Sequence, residues 1–103
     1  MNTDTLHQLL RDEPDDAVLR YTLAMRLMEN QAWEEAVGHL QTLIKQDPQH
    51  GAAMLALSQA LLALGRESEA RTIVERGWKL THIEQHREGC DLGPAFEELL
   101  DNL

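Results

Sequence analysis

The chain has 103 residues, 43% hydrophobic and 26% charged, a composition that fits one globular domain and excludes a disordered polymer. Eighteen acidic residues against nine basic give a formal charge of −9, which argues against nucleic acid and anionic membrane as partners because both require cationic patches. A single cysteine excludes an intramolecular disulfide and suits a reducing compartment. No basic, apolar leader opens the sequence. The longest apolar run, residues 52–64, is interrupted by Ser58 and Gln59 and falls short of the ~20 residues of a membrane span. A soluble, cytoplasmic protein is expected.

The predicted elements follow in chain order. Residues 2–14 carry Leu6, Leu9 and Leu10 at helical spacing and end at Pro14. Asp15 is expected to cap a second helix of about 14 residues, and Asn30 to end it in the left-handed conformation. Glu34 and Glu35 favour the start of a third helix, closed by Pro48. The fourth helix, residues 52–64, is apolar nearly all round, so neighbours must cover most of it. Gly65 is the turn glycine before a fifth helix, which the pattern extends to about Glu88, where Gly89 stops it. Pro94 opens a short last helix with Leu92, Phe96, Leu99, Leu100 and Leu103 on one stripe. The chain therefore reads as all-α, with about six helices stacked as antiparallel pairs.

The helices repeat. Pro14 and Pro48 lie 34 positions apart, and the same offset aligns Leu6, Leu9 and Leu10 with Leu40, Leu43 and Ile44. It also aligns Leu23 with Leu57, Leu27 with Leu61, Glu35 with Glu69, Ala36 with Ala70 and Lys45 with Lys79. Residues 17–50 form one unit, with Leu23-Ala24, Leu27, Ala36, Leu40, Leu43 and Pro48 at its marked positions. Residues 51–84 form a second through Leu57-Ser58, Leu61, Gly65, Ala70 and Val74, and residues 2–14 match the second helix of a preceding unit. These residues and spacings resemble the tetratricopeptide repeat (TPR) family, whose unit is a 34-residue helix–turn–helix. Arg20 and Met54 depart from that pattern at its tryptophan position, Leu27 and Leu61 at its tyrosine position, and His82 at its terminal proline. The expected organisation is a single α-solenoid over residues 1–103. It comprises a half-repeat helix (2–14), two repeats (17–50 and 51–84) and a C-terminal extension with a capping helix (85–103).

The resemblance implies a concave groove lined by the first helix of each repeat, which binds another protein's helix or peptide. Its positions fall on Val18, Tyr21, Thr22, Met25, Met28 and Glu29 in the first repeat. In the second they fall on Ala52, Leu55, Ala56, Gln59, Leu62 and Ala63. Some members of the family clamp a C-terminal carboxylate with lysine, arginine and asparagine at such positions. Here these positions read Tyr21, Met25, Ala52 and Ala56, so the charge-assisted donors a desolvated carboxylate needs are missing and that clamp is not expected. What remains is apolar, with adaptable Met side chains suited to an amphipathic helix. Core packing is the competing reading for each of these residues. The last helix has three possible seats: the end of the stack beside Trp78, its own groove, or the groove of a second copy. The first needs the shortest connection and is expected.

Other constellations are weaker. His82, His86 and Cys90, at i, i+4 and i+8, would share a face of an unbroken helix, but Gly89 interrupts it, and solvated histidines with a semi-buried thiol are the expected state. No phosphate loop, nucleophile elbow or paired-histidine zinc motif occurs, and the adjacent pairs Asp15-Asp16 and Glu34-Glu35 diverge on a helix. Neither an enzymatic activity nor a cofactor is expected. The sequence points to a non-enzymatic protein-binding scaffold, with a homodimer through the groove or the last helix as the alternative.

Overall fold

The computed structural model describes residues 3–82 and 93–102. Six helices make up this part of the chain: α1 (Thr3–Asp12), α2 (Ala17–Glu29), α3 (Trp33–Gln46), α4 (Gly51–Ala63), α5 (Glu67–His82) and α6 (Gly93–Asn102). Each packs chiefly on the next in sequence, and α2 also touches α4. Neighbour-on-neighbour packing is the mark of a helical solenoid, in which each repeat buries its apolar face on the adjacent one.

Local chemistry sets the helix boundaries. Asp16 caps α2 by accepting a hydrogen bond from the Leu19 amide at 3.0 Å. The adjacent Asp15, expected in that role, is exposed. The two aspartates are chemically equal, and Asp16 lies at the register that lets Leu23, Ala24 and Leu27 face the core. His50 caps α4 through its Nδ1, which accepts from the Ala53 amide at 3.1 Å.

The turns inside the two repeats, between α2 and α3 and between α4 and α5, are copies of one another. Gln31 N donates to Met28 O at 3.0 Å and Ala32 N to Leu27 O at 2.8 Å. One repeat later, Gly65 N donates to Leu62 O at 3.0 Å and Arg66 N to Leu61 O at 2.8 Å. These bonds satisfy the free carbonyls at the helix end, and they need a residue of positive φ in the turn. Gly65 supplies it at 77°, as its sequence position predicted. In the first repeat that residue is Gln31, at 62°, and not Asn30, whose φ is −87°. A side chain in this conformation carries a steric penalty that glycine lacks. Gln31→Gly is therefore expected to raise stability by about 1 kcal/mol. Gln31 is exposed, so the change removes no core packing. A urea midpoint that stayed level or fell would count against the strain.

The core runs along the stack. Leu6, Leu23, Leu40, Leu57, Val74 and Phe96 place one or more buried side chains in every helix. Ala36 and Ala70 are fully buried, consistent with the close helix approach that their small size suggested. α4 buries residues around most of its circumference, including Ser58, whose hydroxyl donates to Met54 O at 2.8 Å. Leu9 is 37% exposed, although its repeat equivalent Leu43 is almost fully buried. α1 has only α2 as a substantial neighbour among the described residues, so part of its apolar face stays uncovered.

The last helix takes the expected seat at the end of the stack. α6 packs on α5, with Phe96 fully buried over Gly77. Trp78 is half-buried against the same core, together with Leu99 and Leu100.

Candidate protein-binding groove

The first helices of the two repeats, α2 and α4, are in contact and carry the twelve positions assigned to a groove. Val18 is exposed, at 76%. Tyr21, Met25, Met28, Leu55 and Leu62 are half-buried, each with part of its side chain packed against the core. Ala52 is half-buried and Gln59 exposed. Ala56 stands apart: it is only 5% exposed, so its methyl group belongs to the core and not to a surface. The apolar character of α2 and α4 thus divides between packing within the stack and a partly open face.

Polar groups here are largely engaged. The Thr22 hydroxyl donates to Val18 O at 2.8 Å, leaving it only as an acceptor. Glu29 accepts from Arg26 Nη1 at 2.9 Å, an exposed i,i+3 pair of small energetic worth. The Tyr21 ring stacks on His50, with centroids 5.5 Å apart and planes at 29°. His50 therefore both caps α4 and joins it to α2. Its capping role was open to sequence reasoning, since it immediately precedes the helix, but the stack on Tyr21 depends on tertiary placement.

The opposite side of the stack also has relief. An open cleft of about 510 Å³ lies between α3 and α5, floored by Leu57 and Leu61, with Lys45 and Arg76 among its lining. Arg66, just ahead of α5, binds Glu69 in its first turn through two exposed hydrogen bonds, and the pairing holds the Glu69 carboxyl below its ordinary range.

A third cluster joins α1 to α3. His7 Nδ1 lies 2.8 Å from Thr3 O and His7 Nε2 lies 3.2 Å from Glu35 Oε2. Glu35 and His39 follow one another at i,i+4 on α3, and one ligand atom from each of His7, Glu35 and His39 lies within 4.8 Å of the others. Arg20, standing where the family carries tryptophan, reaches into this cluster. It donates from Nη1 to His39 Nδ1 at 3.0 Å and from Nη2 to Pro14 O at 2.9 Å. Its buried Nε has no hydrogen-bond partner among the described residues. Burial, then the charges of Arg20 and His7, hold the His39 imidazole below the ordinary histidine range, with Glu35 opposing them. The i,i+4 pair on α3 was visible in the sequence, but the approach of His7 across 28 positions was not. His86 and Cys90 of the alternative set lie outside the described residues, as does the His82 side chain.

Comparison with known proteins agrees with this architecture. A family model described as tetratricopeptide repeat matches residues 27–82. TPR repeat-containing protein PA0015 of Pseudomonas aeruginosa is 32% identical over 77 residues, spanning 75% of this chain and 73% of that protein. No solved structure gives a significant match.

Proposed function

This chain belongs to the tetratricopeptide repeat family, whose repeats generally mediate protein–protein interaction, and we propose that it is a non-enzymatic scaffold capturing a helix or peptide of another protein along α2 and α4. The observation that carries the reading is the half-open apolar face of Tyr21, Met25, Met28, Leu55 and Leu62, with Val18 standing 76% exposed beside it. An amphipathic segment laid on that face would complete the burial these side chains have only begun, which is the driving force for helix-in-groove recognition. Gln59, exposed and polar, would set the register of the guest, with Thr22 accepting. A cytoplasmic setting suits the single cysteine, and no helix among the described residues is long and apolar enough to cross a membrane.

Capture of a partner from native lysate is expected to be lost in Met25→Glu and Leu55→Glu and reduced in Val18→Glu, with the far-UV CD still helical. Val18 is exposed enough that its replacement leaves the core untouched, so its effect separates binding from folding. Unchanged capture by all three variants would overturn the groove. Self-association is the rival. Through α6 it would first have to withdraw Phe96 from its buried seat on α5. Sedimentation of the chain before and after truncation beyond Gly89 distinguishes the two: a dimer lost on truncation favours self-association, and a monomer throughout favours the scaffold.

A further inference from the structure

We propose that His7, Glu35 and His39 form a zinc site that ties α1 to α3, independent of the groove. The geometry at His7 calls for a cation. In the neutral ring, the hydrogen bond to Thr3 O places the proton on Nδ1, because a carbonyl can only accept. Nε2 then directs a lone pair at the Glu35 carboxylate from 3.2 Å, where two acceptors repel unless a positive charge stands between them. That charge is a proton on His7 or a metal ion shared by both groups. Two donors bound to one tetrahedral zinc stand about 3.3 Å apart, close to the observed separation.

The rest of the cluster supplies what such an ion requires. His39 lies one helical turn from Glu35 on the same face of α3, and all three donor groups converge within 4.8 Å. Two imidazoles and a carboxylate are a borderline donor set that suits zinc over magnesium or calcium, which prefer oxygen alone. The Thr3 carbonyl plays the orienting part that an outer partner plays for metal-bound histidines. His7 is half-buried and Glu35 exposed, so the ion has a path in and water can take the fourth position.

Arg20 is the opposing element. Its guanidinium occupies the Nδ1 lone pair of His39 and places a fixed positive charge beside the site. It fills the metal's electrostatic role in the metal-free protein and must turn aside when the ion binds. The site therefore exchanges one cation for another, and it holds zinc less tightly than the same three ligands would without Arg20.

Cobalt titration of the full chain, followed by zinc competition, tests the site. The expected result is one equivalent of Co2+ with the intense visible bands of tetrahedral coordination, displaced by one equivalent of Zn2+. Zinc in large excess over its Kd should raise the thermal midpoint by roughly 5–10 °C, and magnesium should leave it unmoved. His7→Ala and His39→Ala should each weaken binding at least tenfold, His50→Ala should leave it intact, and Arg20→Gln should equal or exceed the parent. Four outcomes overturn the proposal: no saturable Co2+ band, binding that survives both His7→Ala and His39→Ala, thiolate-to-cobalt bands that place the ion on Cys90, or loss of binding in Arg20→Gln.

Discussion

Gly77→Ala is expected to destabilise the protein by about 1–2 kcal/mol, although alanine is the better helix former by about 1 kcal/mol. The reason is the seat of the last helix. A Cβ built on Gly77 would lie 2.7 Å from Cδ1 of Phe96 and closer still to Cε1 and Cζ. The ring is fully buried and cannot stay where it is. Losing that burial costs about 1.5–3 kcal/mol, which outweighs the gain in propensity. Phe96→Ala removes the ring outright and should cost about 3–5 kcal/mol. The two changes are coupled: with the ring gone, Gly77→Ala should become neutral or stabilising, because only its helix-forming advantage remains. Urea denaturation of the four proteins measures the cycle, and amide exchange across α6 shows whether that helix releases before the rest. A Gly77→Ala variant more stable than its parent would dismiss the seat.

Leu40→Ala is expected to cost about 3–4 kcal/mol and to lower the thermal midpoint by roughly 10–20 °C. Leu40 is fully buried on α3, which packs on α2 in its own repeat and on α4 in the next. A cavity there weakens the interface between the repeats as well as the inside of one. Stability in a stacked protein is approximately a sum of repeat and interface contributions, so damage at the centre counts in both. Leu10→Ala is the control. Leu10 is nearly as buried at 7% exposed, but it sits on α1 at the margin of the stack, and its cavity can collapse more readily. Its cost should fall near 2 kcal/mol. Equal losses for the two variants would mean that stability is not concentrated in the middle of the stack.

Much of the architecture was legible in the residues. The 34-residue offset located both full repeats, and Ala36, Ala70 and Gly65 revealed close contacts and a turn because small residues have few other reasons to recur there. Where chemistry left two equal candidates, the sequence could not choose. Asp15 and Asp16 cap equally well, and only the register of Leu23 and Leu27 selects Asp16. Gln31 hid the first left-handed turn because nothing in its side chain favours that conformation. Gly77 was silent for a different reason. A glycine inside a helix reads as a weak helix former, and its use becomes visible only once Phe96, 19 positions later, is laid across it. The groove positions were legible as a face but not as a surface. Ala56 lies at the proper spacing, yet α4 has neighbours on enough sides to bury it. The meeting of His7 with Glu35 and His39 depends on where α1 sits against α3, which no local pattern encodes.

The matched turns have a geometric consequence. Gln31-Ala32 and Gly65-Arg66 make the same two hydrogen bonds at the same lengths, so each joins its pair of helices by nearly the same rotation and translation. The pair α2–α3 is therefore nearly congruent with the pair α4–α5, and the one rigid displacement that carries the first onto the second is a screw operation, with an inner radius and an outer one. α2 and α4 are related by it, as are α3 and α5. The side on which each pair lies follows from the junctions before any partner is considered. Bend one junction and the pitch changes for everything beyond it. Curvature in this molecule is therefore a property of a few turn residues, not of the helical surfaces that display it.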